Sequence, residues 1–360
     1  MGWYQLFPTG LNRYPSQSHM KDFQPVALSG PGYGPFAMTP TGEHRMYELE
    51  SELFRWTVKA LLLSGASTFR KPSFRLGQAM AQTMTTRVTS YTLNTGMKAP
   101  ALGFGTFQKP NAQEATVIYN VEVQVGKGIQ RGGISQKDIF FYTKLWCNDY
   151  HPDDVESVLD NSLRDLDTIY INLLMIHYPC TFKQAMEKLT GTGKVSGIGV
   201  SNFSKGEMET LLKESSTVTV DQIEVDPYLQ HKSFAEWLQA KVIHGVQFSP
   251  LGNMNDFYRQ TGWSKDIVQM RRVMGQLILK DIGHKYGKSP VQVVLVWGIN
   301  RRRSVIPKSV VDWQIEKSLA ADLELQAEDM AQVATLDAKA CFNDPSLDYK
   351  WQLYRDLEGG

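Results

Sequence analysis

The sequence predicts an α/β chain folded as a (β/α)8 TIM barrel, and three observations carry that expectation. Short β-rich runs at residues 102–105, 139–144, 169–177, 195–200, 218–225, 242–249 and 304–307 alternate with helical patterns, the order that specifies parallel strands joined by right-handed crossovers. Val155, Val158, Leu159, Leu163 and Leu166 recur at i, i+3, i+4, i+8 and i+11 behind Pro152, which makes an amphipathic crossover helix with proline at its start. Polar residues also end several apolar runs, where the loops of such a barrel assemble a site. The runs number seven. A closed barrel needs eight strands, so one strand is missing or disguised.

Length and composition agree. A chain of 360 residues holds one barrel plus an extension. Thirty-eight Lys+Arg against 37 Asp+Glu leave a net charge of +1, so no global field exists to hold nucleic acid or an anionic membrane surface. The 42% of hydrophobic residues suffices for a large core. Cys147, Cys180 and Cys341 form no C-x-x-C pair and the histidines no H-x-x-x-H pair, so neither a disulfide framework nor a metal site is expected. A reducing compartment, the cytoplasm, fits best.

Residues 1–86 read as an irregular extension ahead of a domain at 87–360. Runs such as Ser29-Gly30-Pro31-Gly32-Tyr33-Gly34-Pro35 carry no helical or alternating period. From Leu53 to Gln113 there is no acidic residue, while Arg55, Lys59, Arg70, Lys71 and Arg75 punctuate a Ser- and Leu-containing stretch, as in mitochondrial transit peptides. Such peptides start at the N-terminus, so the favoured explanation is mis-assigned coding sequence ahead of a start at Met80 or Met84. The apolar run Ala60-Leu61-Leu62-Leu63 is far short of the ~18 residues of a membrane span.

Residues 91–100 read as a hairpin turning at Asn94-Thr95-Gly96. After it, Thr143-Lys144-Leu145-Trp146, Ile176-His177-Tyr178-Pro179 and Val200-Ser201-Asn202-Phe203 end successive runs. A lysine and a histidine there are costly to bury without partners. Taken singly, His177 also reads as a satisfied core histidine and Lys144 as a strand-end lysine reaching for solvent.

Together with Leu102-Gly103-Phe104-Gly105-Thr106, Lys194-Val195-Ser196-Gly197-Ile198-Gly199, Gln222-Ile223-Glu224-Val225, Phe248-Ser249-Pro250-Leu251-Gly252 and Ile306-Pro307-Lys308-Ser309, these strings resemble the aldo-keto reductases, in order and barrel position, over about residues 89–352. The fungal glycerol dehydrogenase and xylose reductase branch is the most similar. The resemblance implies an NADPH-dependent reduction of aldehydes or ketones to alcohols by direct hydride transfer, without a Rossmann motif, acting on a small carbonyl compound as a monomer. In the family a tyrosine protonates the carbonyl oxygen, a lysine cation held by an aspartate lowers the tyrosine pKa from near ~10, and a histidine orients the carbonyl. Lys144 and His177 match the lysine and histidine. Tyr119 matches the tyrosine, because Ile118-Tyr119-Asn120-Val121-Glu122-Val123-Gln124-Val125-Gly126 is similar to the family's tyrosine followed by its Glu and Val-Gly helix.

The same comparison exposes departures. The family's Gly-Phe/Tyr-Arg-His-Ile-Asp segment at the end of the second strand is absent, and ten residues separate Gln108 from Tyr119 where a helix and a strand should fit. The barrel is therefore expected to be incomplete around its second strand. Glu114 stands five positions before Tyr119, where the catalytic aspartate belongs. Either it substitutes for that aspartate on a shortened strand 115–119, or it is the start of the first helix, the favoured alternative. The long family loop after His177 is mostly absent, which opens the substrate pocket.

On the cofactor side, Ser201, Asn202 and Gln222 match contacts to the nicotinamide carboxamide, and Phe248 replaces the stacking tyrosine with another aromatic face. Ser249 and Leu251 match pyrophosphate contacts, and Lys308, Ser309 and Val310 the adenosine 2′-phosphate pocket. The family's arginine of that pocket is Gln314 here and its later asparagine Ser318, so a bidentate phosphate clamp is lost and NADH becomes an alternative to NADPH.

Three further motifs are set aside. Gly126-Lys127-Gly128-Ile129-Gln130-Arg131-Gly132 has the wrong last spacing for a dinucleotide motif and reads as helix termini, Gly193-Lys194 lacks the rest of a P-loop, and Arg301-Arg302-Arg303 reads as a solvated loop. Two function classes follow: an active reductase, and a non-catalytic dinucleotide-binding protein or mis-assembled gene product left by the deleted strand.

Overall fold

The computed structural model describes residues 90–106, 114–133, 135–146, 151–179, 183–214, 218–254, 267, 269–309, 311–319 and 323–346. The expected extension at 1–86, Cys147, Cys180 and Val310 lie outside them.

A hairpin comes first. β1 (Ser90–Thr92) pairs antiparallel with β2 (Lys98–Pro100), and Gly96 takes φ +84° in the turn, which a side chain would strain. Then α1 (Glu114–Gly132) precedes β3 (Tyr142–Leu145), and strands alternate with helices: α2 (Val155–Leu166), β4 (Leu173–Ile176), α3 (Lys183–Thr190), β5 (Ile198–Ser201), α4 (Lys205–Glu214), β6 (Val218–Glu224), α5 (Lys232–Ala240) and β7 (His244–Phe248). After β7 come α6 (Leu277–Tyr286), α7 (Pro290–Asn300), β8 (Ser304–Ile306), α8 (Asp312–Leu319) and α9 (Ala327–Ala334).

β3 to β8 form one six-stranded sheet in sequence order, parallel throughout. The run at 102–105 adds a seventh rung outside β8: Leu102 bridges Val305 in parallel, Gly103 N donates to Val305 O and Gly105 N to Pro307 O, both at 2.9 Å. The seven β-rich runs therefore all enter the barrel wall. Among the described residues no strand lies between the 102–105 segment and β3, so the incompleteness falls at the second strand.

Two apolar layers follow from the period-2 alternation of the strands. One face packs against the helices: Leu145, Leu174, Ile176, Val200, Ile223 and Val305 meet Leu159, Leu163, Phe234 and Trp297. α2 delivers Val155, Leu159, Leu163 and Leu166 to that layer as its spacing predicts, with Val158 at the margin. The other face gathers Leu173, Met175, Val220, Val246 and Ile306 with Tyr142 and Phe248 in a second cluster. Side chains of β3 and β8, the two ends of the sheet, can share one cluster only if the sheet curls upon itself. Leu93, Met97 and Ala99 of the hairpin join that cluster, so the hairpin closes one end of the curl.

Three expectations need correcting. The shortened strand 115–119 does not form; all of 114–132 is helical, and Glu114 is the first residue of α1. Gly126 is interior to α1 rather than at a terminus: a Cβ there would lie 2.6 Å from Leu166 O, so its lack of side chain lets α1 approach α2. Arg303 is not solvated but 3% exposed, its side chain running past Gly245 so that Nη2 donates to Gln230 O at 2.9 Å.

Candidate functional site

The C-terminal ends of the strands converge on one mouth. Lys144 pairs with Met175 in register, so by alternation Lys144, Tyr142, Met175 and His177 share the inner face. Met175 pairs with Gly199, Ser201 with Gln222, and Glu224 with Phe248, which carries the same face across the sheet. At Gly199 a Cβ would lie 2.9 Å from Val220 O and 3.1 Å from Met175 Cγ, so glycine is what keeps the interior open enough for its neighbours.

Lys144 sends its ammonium to 5.8 Å from the Tyr142 ring centroid, within cation–π range. Among the described residues it makes no ion pair, and burial pushes its pKa down from 10.5 to about 8. His177 stacks on Tyr178 with ring centroids 4.9 Å apart and 13° between planes, and Trp146 meets it edge-on at 4.9 Å. Burial, and then the Lys144 charge, hold the His177 pKa well below 6.5, so the imidazole is neutral at neutral pH, a state that can donate or accept a hydrogen bond. Asn202 Nδ2 donates to the His177 carbonyl at 2.9 Å, which ties the end of β4 to the end of β5.

Ser201 Oγ donates to Gln222 O at 2.8 Å. Asn202 takes φ +63°, a left-handed conformation that asparagine tolerates better than most residues. The Gln222 side chain faces the Tyr142 phenol, yet its buried Nε2 makes no hydrogen bond of normal geometry among the described residues. A buried amide donor left in this state costs free energy, and the carboxamide oxygen of a nicotinamide would satisfy it. On that observation the mouth fits a nicotinamide cofactor.

The space beside β8 is tighter. A crevice between Leu102–Phe104, Pro307–Ser309 and α8 leaves about 10 Å³ of space, room for a single water. Ser309 Oγ donates to Gln314 Oε1 at 2.6 Å and accepts from Val311 N at 3.0 Å, so Gln314 occupies the Ser309 hydroxyl. Lys308 is half-buried, with its pKa lowered by burial. Ser249 and Leu251 lie on the loop after β7, where Gly252 N donates to Ser249 O at 2.9 Å.

The structure thus brings Lys144, His177, Ser201, Asn202, Gln222 and Phe248 to one mouth, with Lys308 and Ser309 on the loop after β8. Tyr119 and Glu114 are carried on α1, their side chains outside what is described. One residue given no role by the sequence is Glu224, whose carboxylate accepts from Phe342 N at 3.0 Å, Asn343 N at 2.9 Å and Cys341 Sγ at 3.1 Å. It therefore fastens the C-terminal segment beside the mouth. Alternation from Gln222 was the available signal, since residues two apart on a strand share a face.

The aldo/keto reductase family profile matches residues 114–338. The chain belongs to the aldo-keto reductase family. An oxidoreductase of Schizosaccharomyces pombe described as uncharacterized is 33% identical over 312 residues, 75% of this chain and 95% of that protein. The NAD(P)H-dependent D-xylose reductase I,II of Candida tropicalis is 31% identical over 306 residues, covering 70% and 94%. Among solved structures, an aldo-keto reductase complexed with NADPH superposes with a TM-score of 0.66 at 26% identity over 74% of this chain and 93% of that one; the same enzyme from the silkworm, Bombyx mori, gives the same values. No helix among the described residues is long and apolar enough to cross a membrane.

Proposed function

We propose that residues 87–360 form a reductase that converts aldehydes or ketones to alcohols with NADPH, NADH also being accepted, and that residues 1–86 stand apart from it. The observation that carries the reading is the convergence of Lys144, His177 and the buried Gln222 amide at the mouth of the curled sheet. NADPH, when bound, supplies the hydride that adds to the carbonyl carbon. The chain supplies the rest. Tyr119 gives its phenolic proton to the carbonyl oxygen, the Lys144 cation lowers the pKa of that phenol, and neutral His177 donates a hydrogen bond that orients the carbonyl. Ser201, Asn202 and Gln222 fix which face of the nicotinamide points at the substrate, while Phe248 stacks on it. Ser249 and Leu251 meet the pyrophosphate, and Lys308, Ser309 and Val310 the adenosine end. The partner is a small carbonyl compound, and the chain acts as a monomer in the cytoplasm.

The test is NADPH absorbance with glyceraldehyde and with an aromatic aldehyde. Turnover by the wild type that Tyr119→Phe abolishes supports the reading; undiminished turnover in Tyr119→Phe overturns it. A second reading, a dinucleotide-binding protein without turnover, is favoured by the absence of a second strand beside β3 among the described residues. It is supported instead if NADPH fluorescence responds while no aldehyde is reduced.

A further inference from the structure

Tyr142 has no part in the reduction as described above, yet its side chain meets both halves of the mouth. It pairs with Leu173 as Lys144 pairs with Met175, so period-2 alternation puts both side chains of β3 inside the curl. There Tyr142 packs against the inner cluster that includes Leu173 and Met175 of β4 and Val220 of β6. Between β4 and β6 stands β5, which pairs Gly199 with Met175 and so offers no side chain to obstruct the crossing.

Two functional groups lie against this side chain. The Lys144 ammonium stands 5.8 Å from the Tyr142 ring centroid, where the negative face of an aromatic ring attracts a cation. The Gln222 side chain faces the phenolic oxygen from β6. Burial raises the phenol above its ordinary pKa, with the Gln222 amide opposing that rise, so the group is a neutral O–H at neutral pH and Lys144 is drawn to the ring rather than to a phenolate. The other titratable group acting on the ammonium is His177 at the end of β4, itself neutral. Among the described residues the Tyr142 ring is therefore what favours the charged amine against the burial that lowers its pKa to about 8. The brace matters because β3 has β4 as its one strand neighbour among the described residues.

We propose that Tyr142 is a positioning residue of the mouth: its ring holds the Lys144 ammonium, and its phenol holds the Gln222 amide in the pose that meets a nicotinamide carboxamide. One side chain then sets the separation between the cation that tunes the proton donor and the amide that orients the hydride donor, two groups that must act on the two atoms of one carbonyl. The use made of that separation rests on the reductase reading, whereas the two grips belong to the chain alone.

The phenol is tested by calorimetric titration of the full chain with NADPH and with adenosine 2′,5′-bisphosphate, which lacks the nicotinamide. Tyr142→Phe is expected to weaken NADPH about 3–10-fold, the worth of one hydrogen bond, and to leave the bisphosphate unchanged, a difference that a general loosening of the fold would not produce. The ring is tested without cofactor, by NMR titration of lysines carrying 13C-methyl labels, the Lys144 resonance being assigned by its loss in Lys144→Met. Tyr142→Phe keeps the ring and should leave the Lys144 pKa at its wild-type value; Tyr142→Leu removes the ring and should lower that pKa by about half a unit to one unit. Should Tyr142→Leu fail to fold, Tyr142→Met, which keeps more of the volume, is expected to give the same shift. The proposal is overturned if the wild type binds no NADPH, if Tyr142→Phe binds NADPH as the wild type does or weakens both ligands alike, or if removing the ring leaves the Lys144 pKa where it was. Absence of aldehyde turnover by the wild type would instead end the reductase reading, while both titrations still report on Tyr142.

Discussion

Replacing Lys144 by methionine should make the free protein more stable while abolishing reduction. Methionine has nearly the same length and no charge, so the substitution removes the ammonium and leaves the packing. The Lys144 pKa falls from 10.5 to about 8 in the fold. Holding the protonated amine there costs the folded state about 3 kcal/mol, at ~1.4 kcal/mol for each tenfold step. Lys144 is half-buried, so water relieves part of that cost and about 3 kcal/mol is a ceiling. The sign follows from linkage: a base with a depressed folded-state pKa carries its full penalty below about pH 8, and the penalty fades as pH rises toward 10.5, where the unfolded chain also loses its proton. Lys144→Met should therefore exceed the wild type in urea stability at pH 7, by as much as about 3 kcal/mol and several degrees in melting temperature, and the two should converge toward pH 10. Paired urea titrations across that range measure it. A variant less stable than the wild type at pH 7 would refute the reasoning, because it would mean that an acidic group, Glu114 foremost, already neutralises the ammonium in the fold.

Three other substitutions probe neighbouring features. Gly199→Ala puts a Cβ 2.9 Å from Val220 O, a backbone atom that cannot swing away, and should lower stability by about 1–3 kcal/mol in urea; no loss would show that β5 and β6 yield. Glu224→Gln leaves one backbone donor of the C-terminal segment facing an amide and should cost about 1–3 kcal/mol. Burial raises the Glu224 pKa to about 7, above its unfolded value, so its contribution is full below the unfolded pKa and lost as pH rises through 7; the wild type should show that decline between about pH 5 and pH 8, and the variant should not. Gln314→Arg frees Ser309 and supplies a guanidinium beside Lys308, so NADPH affinity by fluorescence titration should rise about tenfold with NADH unchanged; equal effects on both cofactors would place the 2′-phosphate elsewhere.

The wall of the barrel was legible because strand and helix periods differ and each run is long enough to show its own. The runs at 139–144 and 218–225 became Tyr142–Leu145 and Val218–Glu224, and the α2 spacing gave its four buried residues directly. The run at 102–105 was also read, though its pairing with β8 is a single bridge. What the sequence hid was tertiary. Nothing local in Arg301-Arg302-Arg303 says that the third arginine turns inward; a bare backbone at Gly245, 58 residues earlier in the chain, makes the room. Glu224 was visible as a letter in a motif, but its partners at 341–343 come from a segment with no pattern of its own. The choice between a strand and a helix at Glu114 turned on a deletion, where a family comparison loses its register and local helix-forming tendency decides.

That deletion bears on how Lys144 is held. In the described residues β3 has one strand neighbour, β4, so its other edge lacks the ladder that would normally fix it. α1 supplies a substitute. Thr143 Oγ1 donates to Glu122 of α1, and the same half-buried carboxyl engages Ser162 of α2, with burial raising its pKa as the main effect. The bond falls on the outer face of β3, one residue before the inward-facing Lys144, so it sets the strand's rotation without entering the mouth. Gly126 then allows α1 to close on Leu166, which fixes the helix that carries the grip. Tyr119 precedes Glu122 by one turn of that helix. The helix bearing Tyr119, the proposed proton donor, and the strand bearing Lys144 are thus tied to each other through α1 instead of through a second strand.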